Sequence, residues 1–199
     1  MKVLKFDNEQ DWLDARLGRI TGTRLKDLVS SRGTKPKIGF YELIAERIAL
    51  PPTNENAMYR GKRIEQEAIE RFAEETGKKV NTELVLWCRD DDENIAVSPD
   101  GHIGKTEAAE CKCLSSARHL EAWMTKDIPS EYEYQVLQYF IVNNNLKKLY
   151  FVFYDPRMPI DLFWIEVTRK EVAERVAEYL ELERKVLAQV KEVERKITF

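Results

Sequence analysis

Two carboxylates and an amine stand close together in the stretch Ser98-Pro99-Asp100-Gly101 followed by Glu110-Cys111-Lys112. Ile95-Ala96-Val97 reads as a β-strand that ends in a Pro-Asp-Gly turn. Ala108 to Cys113 reads as a second strand, expected to pair with the first across the intervening loop. Side chains alternate along a strand, so Glu110 and Lys112 share one face and Cys111 takes the other. Asp100 and Glu110 can then offer hard oxygen ligands to a divalent cation such as Mg²⁺. Lys112 can orient a water, or place positive charge where a phosphoryl transition state develops negative charge. A surface hairpin with a solvated Glu and Lys satisfies the same pattern, so the surrounding elements must decide between them.

The helix expected over residues 57–76, ended by Gly77, carries the first support. At 3.6 residues per turn Glu65, Ile69 and Phe72 fall near one line, flanked by Ile64 and Ala68. Glu65 thus sits inside an apolar stripe, where it needs a partner such as Arg60, Lys62 or Arg63, or else serves chemistry. Tyr132 to Val142 suits a largely buried helix bearing Gln135, Gln138 and Tyr139, and buried glutamines require hydrogen-bond partners. That helix is either one wall of a polar site or an ordinary core element with a polar contact.

Asp7 or Asn8 can cap a first helix carrying Trp12 and Arg16, with Gly18 placed to end it. Thr21 or Thr23 can cap a second short helix over residues 24–29. Free helix N–H groups, two hydroxyls and nearby Arg16 suit a phosphate, although simple capping explains the hydroxyls as well. From Arg16 to Lys37 seven basic residues face one acid, Asp27. The whole chain has a formal net charge of −3, so any phosphate-binding surface is local. Residues 30–39 read as a mobile basic loop and 41–50 as a third helix, stopped by Pro51-Pro52.

Lys79 to Trp87 reads as a strand and Arg89 to Asn94 as an acidic hairpin turn, with a short helix over residues 118–124. Leu149 to Tyr154 and Asp161 to Val167 form a hairpin with a longer loop. Thr168-Arg169-Lys170-Glu171 fits a capping box. The last helix gathers Val172, Val176, Leu180, Leu187 and Val190 on one face, to lie across the body or against a neighbouring subunit.

A chain of 199 residues without a linker or internal repeat is expected to be a single domain over 1–199. It has no apolar run long enough for a membrane span and no signal-peptide core. Three cysteines do not make a disulfide framework, so a reducing, intracellular compartment is expected. Cys111 and Cys113 point away from Glu110 and Lys112 and read as small buried hydrophobes in preference to a zinc site with Cys88, His102 or His119. Walker A, Rossmann and nucleophile-elbow patterns are absent.

Trp12-x3-Arg16-Leu17-Gly18-x-Ile20-Thr21, Arg60-Gly61-Lys62-x2-Glu65, Ser98-Pro99-Asp100-Gly101 and Glu110-Cys111-Lys112 occur in that order. Together with Tyr154-Asp155-Pro156-Arg157-Met158, they resemble the phage λ exonuclease/YqaJ-type viral recombinase family of PD-(D/E)XK nucleases. The resemblance implies an α/β, restriction-endonuclease-like core: a mixed central β-sheet flanked by α-helices. It implies a 5′→3′ double-stranded DNA exonuclease that leaves 3′ single-stranded overhangs for recombination by strand annealing. Asp100, Glu110 and the backbone carbonyl of Cys111 would bind Mg²⁺, with Mn²⁺ as substitute, and Lys112 would be the catalytic lysine. Glu65 would complete the acidic site, at a second metal. Arg16, Thr21, Thr23 and Ser98 would grip the 5′ phosphate, and Gln135 or Gln138 with Tyr139 would support the centre. Implied partners are linear duplex DNA, two further copies in a ring-shaped homotrimer and a single-strand annealing protein. The implied setting is the cytoplasm of a bacterial host, from a phage or prophage gene. A site- or structure-specific endonuclease on the same core, and a non-catalytic DNA-binding module, are the competing readings.

Overall fold

The computed structural model describes residues 1–28, 43, 58–114, 116–156 and 158–197. The expected basic loop at 30–39, the helix at 41–50, the Pro51-Pro52 stop and Arg157 lie outside the described residues, as do the side chains of Arg60, Lys62 and Arg63.

Two hydrogen-bonded sheets organise the chain. In the first, β1 (Lys2–Lys5), β2 (Val85–Cys88) and β3 (Ala96–Val97) lie in that order, all antiparallel. In the second, β4 (Gly101–Ile103), β5 (Glu107–Lys112), β6 (Lys148–Tyr154) and β7 (Leu162–Thr168) follow in spatial order. β5 runs parallel to β6 while the outer pairs are antiparallel, so this sheet is mixed. The parallel pair is connected through α4 (Ser116–Thr125), a 3₁₀ turn (Ser130–Tyr132) and α5 (Glu133–Val142).

Two expectations change here. The partner of β5 is β4, not Ile95-Ala96-Val97, whose strand pairs back onto β2. The tight turn of the hairpin falls at Gly104, which takes φ +60, and not at Pro99-Asp100-Gly101. Gly101 is needed for another reason: a Cβ there would come within 2.5 Å of Val80 Cγ1. The strand expected from Lys79 is confined to Val85–Cys88, with Asn81 making an isolated bridge to His102.

Helices cover both faces of the mixed sheet, following its period of two. Ala109, Cys111, Tyr150, Val152 and Tyr154 pack against Ala68, Ile69 and Phe72 of α3 (Met58–Thr76). Ala108, Leu149, Phe151 and Phe153 turn the other way, toward α5 and the long C-terminal helix α6 (Arg169–Ile197). Half of the capping box forms: Glu171 accepts from the Thr168 N–H at 2.6 Å, and the Thr168 hydroxyl donates to the same carboxylate at 2.7 Å. The expected apolar face of α6 packs on this core through Leu187 and Val190, so the helix lies across the body. No described helix is long and apolar enough to cross a membrane.

The N-terminal helices approach the sheet edge through backbone bonds. Asn8 caps α1 (Glu9–Arg16), and Gly18 reverses the chain at φ +67. Ile20 then bridges Ile95 in parallel, its carbonyl accepting the Ala96 N–H at 2.9 Å. This bridge delivers Thr21 and α2 (Gly22–Leu28) beside the strand that leads to Ser98 and Asp100. Gly22 allows close contact with α5, since a Cβ there would meet Gln135 Cγ at 2.9 Å.

Arg169 fixes the far end of α5. Its guanidinium donates to the carbonyls of Leu146 at 2.8 Å and Phe140 at 3.0 Å, and also to that of Asn143. These are carbonyls at and just beyond the helix C-terminus, where a cation is favoured. Arg169→Ala is expected to lower the unfolding free energy in urea by about 2–4 kcal/mol, because charged hydrogen bonds are lost and carbonyls are left unpaired. Arg169→Lys should recover only part of it, as an ammonium cannot span the same acceptors.

Candidate active site

Glu110 is the centre of the cluster. It lies on the face of β5 that looks toward α5 and is 2% exposed. Its carboxylate accepts hydrogen bonds from Lys112 Nζ, Gln135 Nε2 and the Tyr139 hydroxyl. Gln135 and Tyr139 are four apart on one helical face, so both reach the same carboxylate. Gln138 turns elsewhere: its Nε2 donates to the carbonyls of Ile20 at 3.0 Å and Ala96 at 3.3 Å. Gln135 therefore faces the site, while Gln138 clamps the bridge between Ile20 and Ala96.

Asp100 stands between β3 and β4, and its Oδ2 accepts the Cys111 N–H at 2.7 Å. The N–H and C=O of one strand residue leave on the same edge, so the Cys111 carbonyl also faces the Asp100 side. Burial, and then the charge of Glu110, push Asp100 well above the usual carboxylate range, against the pull of Lys112. Burial opposes the charge on Lys112, but Glu110, Asp100 and Glu65 outweigh it and raise its pKa. Lys112 stays an ammonium, with Nζ also 5.3 Å from the centre of the Tyr132 ring.

Arg16 joins the group from α1. Burial lowers its pKa, and it lies within the field of Glu110, Asp100 and Tyr139. The ring of Trp12 backs its guanidinium at 4.6 Å. Thr21 is buried and Thr23 exposed, with 3.4 Å between their hydroxyl oxygens. Ser98 is buried two residues before Asp100, and its Oγ has no hydrogen-bond partner among the described residues.

Glu65 comes from α3, which covers the opposite face of β5. It is half-buried and contributes to the electrostatics of Asp100, Lys112 and Cys113. The Cys111 and Cys113 thiols interact on that side, away from Glu110; Cys111 is buried as expected, but Cys113 is exposed, because it lies just past the end of β5. Among the described residues no three His, Cys, Asp or Glu side chains close into a ready metal cage. What the site offers is a buried carboxylate, Glu110, and a half-buried one, Asp100, in each other's field, with a backbone carbonyl at their edge. That donor set suits a hard, strongly hydrated cation that keeps several waters, as Mg²⁺ does.

Sequence reasoning placed these residues but missed three supports. Trp12 behind Arg16 did have a signal, four residues earlier on one helix, whereas Tyr132 beside Lys112 has none in the local sequence. Glu183 of α6 is buried behind Gln138, and it did have a signal: it falls between Leu180 and Leu187 on the apolar stripe.

Residues 11–145 match the YqaJ-like viral recombinase domain, and the chain belongs to that family. The crystal structure of LHK-Exo in complex with dAMP aligns with a TM-score of 0.77 at 27% identity, covering 94% of this chain and 97% of that one. A crystal structure of LHK-Exo, an alkaline exonuclease from Laribacter hongkongensis, gives 0.75 at 28% identity, with 94% and 97% covered. No curated protein matches the chain. The mixed sheet between helical layers is thus a restriction-endonuclease-like core.

The two glutamines should respond differently to replacement. Gln135→Leu removes a donor to Glu110 and is expected to slow catalysis about tenfold or more, with little change in melting temperature. Gln138→Leu leaves the Ile20 and Ala96 carbonyls short of a donor and should lower the melting temperature by several degrees, about 1–3 kcal/mol, along with any loss of activity. Activity assays and thermal unfolding on both variants check the distinction.

Proposed function

We propose that this chain is a divalent-cation-dependent exonuclease that degrades linear duplex DNA from the 5′ end and leaves 3′ single-stranded overhangs. The observation that carries the reading is the gathering of Arg16, Asp100, Glu110 and Lys112 into one electrostatically coupled cluster. Family membership supports it, as does the likeness to LHK-Exo, an alkaline exonuclease crystallised with the deoxynucleotide dAMP.

Asp100, Glu110 and the Cys111 carbonyl would hold Mg²⁺, or Mn²⁺ in its place, with Glu65 available to a second ion. The bound cation would supply Lewis-acid charge to a phosphoryl oxygen and acidify a coordinated water. Gln135 and Tyr139 keep Glu110 in one orientation, which removes reorganisation at the moment of reaction. Lys112, held as an ammonium, sets positive charge beside the phosphate as negative charge accumulates. Arg16 can grip a terminal phosphate with two parallel hydrogen bonds, backed by Trp12 and assisted by Thr21, Thr23 and the hydroxyl of Ser98, which has no partner among the described residues. The short helix α2 adds little dipole of its own, so the side chains carry this contact.

The same reading extends to the assembly. Residues 1–199 would act as one domain in a ring-shaped homotrimer that encircles duplex, hands its product to a single-strand annealing protein, and works in the cytoplasm of a bacterial phage host. A closed ring would let a protein of 23.4 kDa stay attached while digesting.

One experiment separates these readings: purified chain, Mg²⁺, and linear duplex with a 5′ phosphate or a 5′ hydroxyl, beside a closed circle. Linear DNA should be digested and the circle left intact; cleavage of the circle would favour an endonuclease. Arg16→Ala should slow 5′-phosphorylated ends most and narrow the gap to hydroxyl ends by about tenfold or more, the loss of a charged contact. Lys112→Ala should slow both alike. An equal loss on both ends with Arg16→Ala would move the phosphate pocket elsewhere. Light scattering on the same sample should give three chains, and a monomer would rule out the ring.

A further inference from the structure

Behind the site, the buried Glu183 of α6 meets Gln138 of α5. Glu183 is 1% exposed and Gln138 fully buried. The amide orientation of Gln138 is fixed by its own contacts, because Nε2 donates to the Ile20 and Ala96 carbonyls. Turning the amide over would set its oxygen against those two carbonyl oxygens. Gln138 Oε1 therefore faces the other way and has no donor among the described residues. Neither carboxyl oxygen of Glu183 has one either. Unpartnered acceptors on two buried residues in contact are unfavourable unless a proton is shared between them.

We propose that Glu183 carries a proton in the folded chain and donates it to Gln138 Oε1, so that Glu183 is a positioning residue for the Ile20–Ala96 junction. One proton satisfies both groups and completes the hydrogen bonding of Gln138. Gln138 in turn staples the segment that follows Arg16 to the strand that precedes Ser98 and Asp100. The C-terminal helix thereby reaches the site through a hydrogen-bond chain of three members without touching any reacting group.

Burial holds Glu183 well above the usual carboxylate range. Gln138 on α5 and Arg89 after β2 pull it down, and Asp92 in the β2–β3 connection pushes it up. Such a group keeps its full contribution to stability below the unfolded-state pKa of about 4.3. That contribution is lost progressively as pH rises from there through the raised folded-state value. A glutamine at 183 would donate to Gln138 Oε1 without this dependence on pH.

The test compares wild type with Glu183→Gln and Glu183→Leu. Melting temperatures from pH 4.5 to pH 8.5 should show Glu183→Gln gaining on wild type as pH rises, with the difference closing near the acid end. Infrared difference spectra of wild type minus Glu183→Gln at pH 7 should contain the C=O band of a protonated carboxyl. Glu183→Leu should be less stable than Glu183→Gln throughout, and should digest duplex about tenfold more slowly at a rate that Glu183→Gln restores. The digestion arm rests on the proposed nuclease activity; the melting and infrared arms do not, so failure of one reading is distinguishable from failure of the other. Should Glu183→Leu not fold, those two arms decide with Glu183→Gln alone. A melting difference that does not vary with pH, or a carboxylate band in place of the protonated one, would overturn the proposal.

Discussion

A carboxylate removed from water must be given donors or cations, since leaving it bare costs far more than any single contact returns. Glu110 meets this requirement with Lys112 from its own strand and with Gln135 and Tyr139 from α5. Much of the architecture follows from it. The parallel β5–β6 connection lays α5 across the face that carries Glu110, and Arg169 secures the end of that helix by binding its free carbonyls. Gly22 lets α2 approach α5 closely, next to Thr21.

The second carboxylate changes the balance. Asp100 is raised by burial and by Glu110, and one ammonium does not neutralise three acids when Glu65 is counted. The cluster is therefore built with more negative charge than its own cations absorb, even with Arg16 in the same field. A divalent cation would relieve this excess, which is the physical reason the donor set suits one. The fold restrains both carboxylates through backbone and side-chain hydrogen bonds, so the geometry does not depend on the cation for its construction.

Local signals made much of this legible in the sequence. Glu65 on an apolar stripe, the capping box at Thr168, the buried glutamines of α5 and the β6–β7 hairpin each follow from periodicity or caps within a few residues. The alternation that put Glu110 and Lys112 on one face held because β5 is a regular six-residue strand. What failed was long-range or too short to have a period. β4 is three residues long, and Gly101 is required by the approach of Val80 from another segment, so a turn was the natural but mistaken reading. Glu183 shows the same signature as Glu65, an acid within an apolar stripe, but the dense charge on the rest of α6 masks it.

The central claim is that Asp100 and Glu110 jointly form a cation site. Titration of Mn²⁺ followed by electron paramagnetic resonance reads this without reference to activity or to DNA. Wild type should take up Mn²⁺ competitively with Mg²⁺, and Asp100→Asn and Glu110→Gln should each weaken binding by about tenfold or more, as loss of one charged ligand requires. Glu65→Gln should weaken it less. Unchanged binding in both the Asp100 and the Glu110 variants would contradict the account.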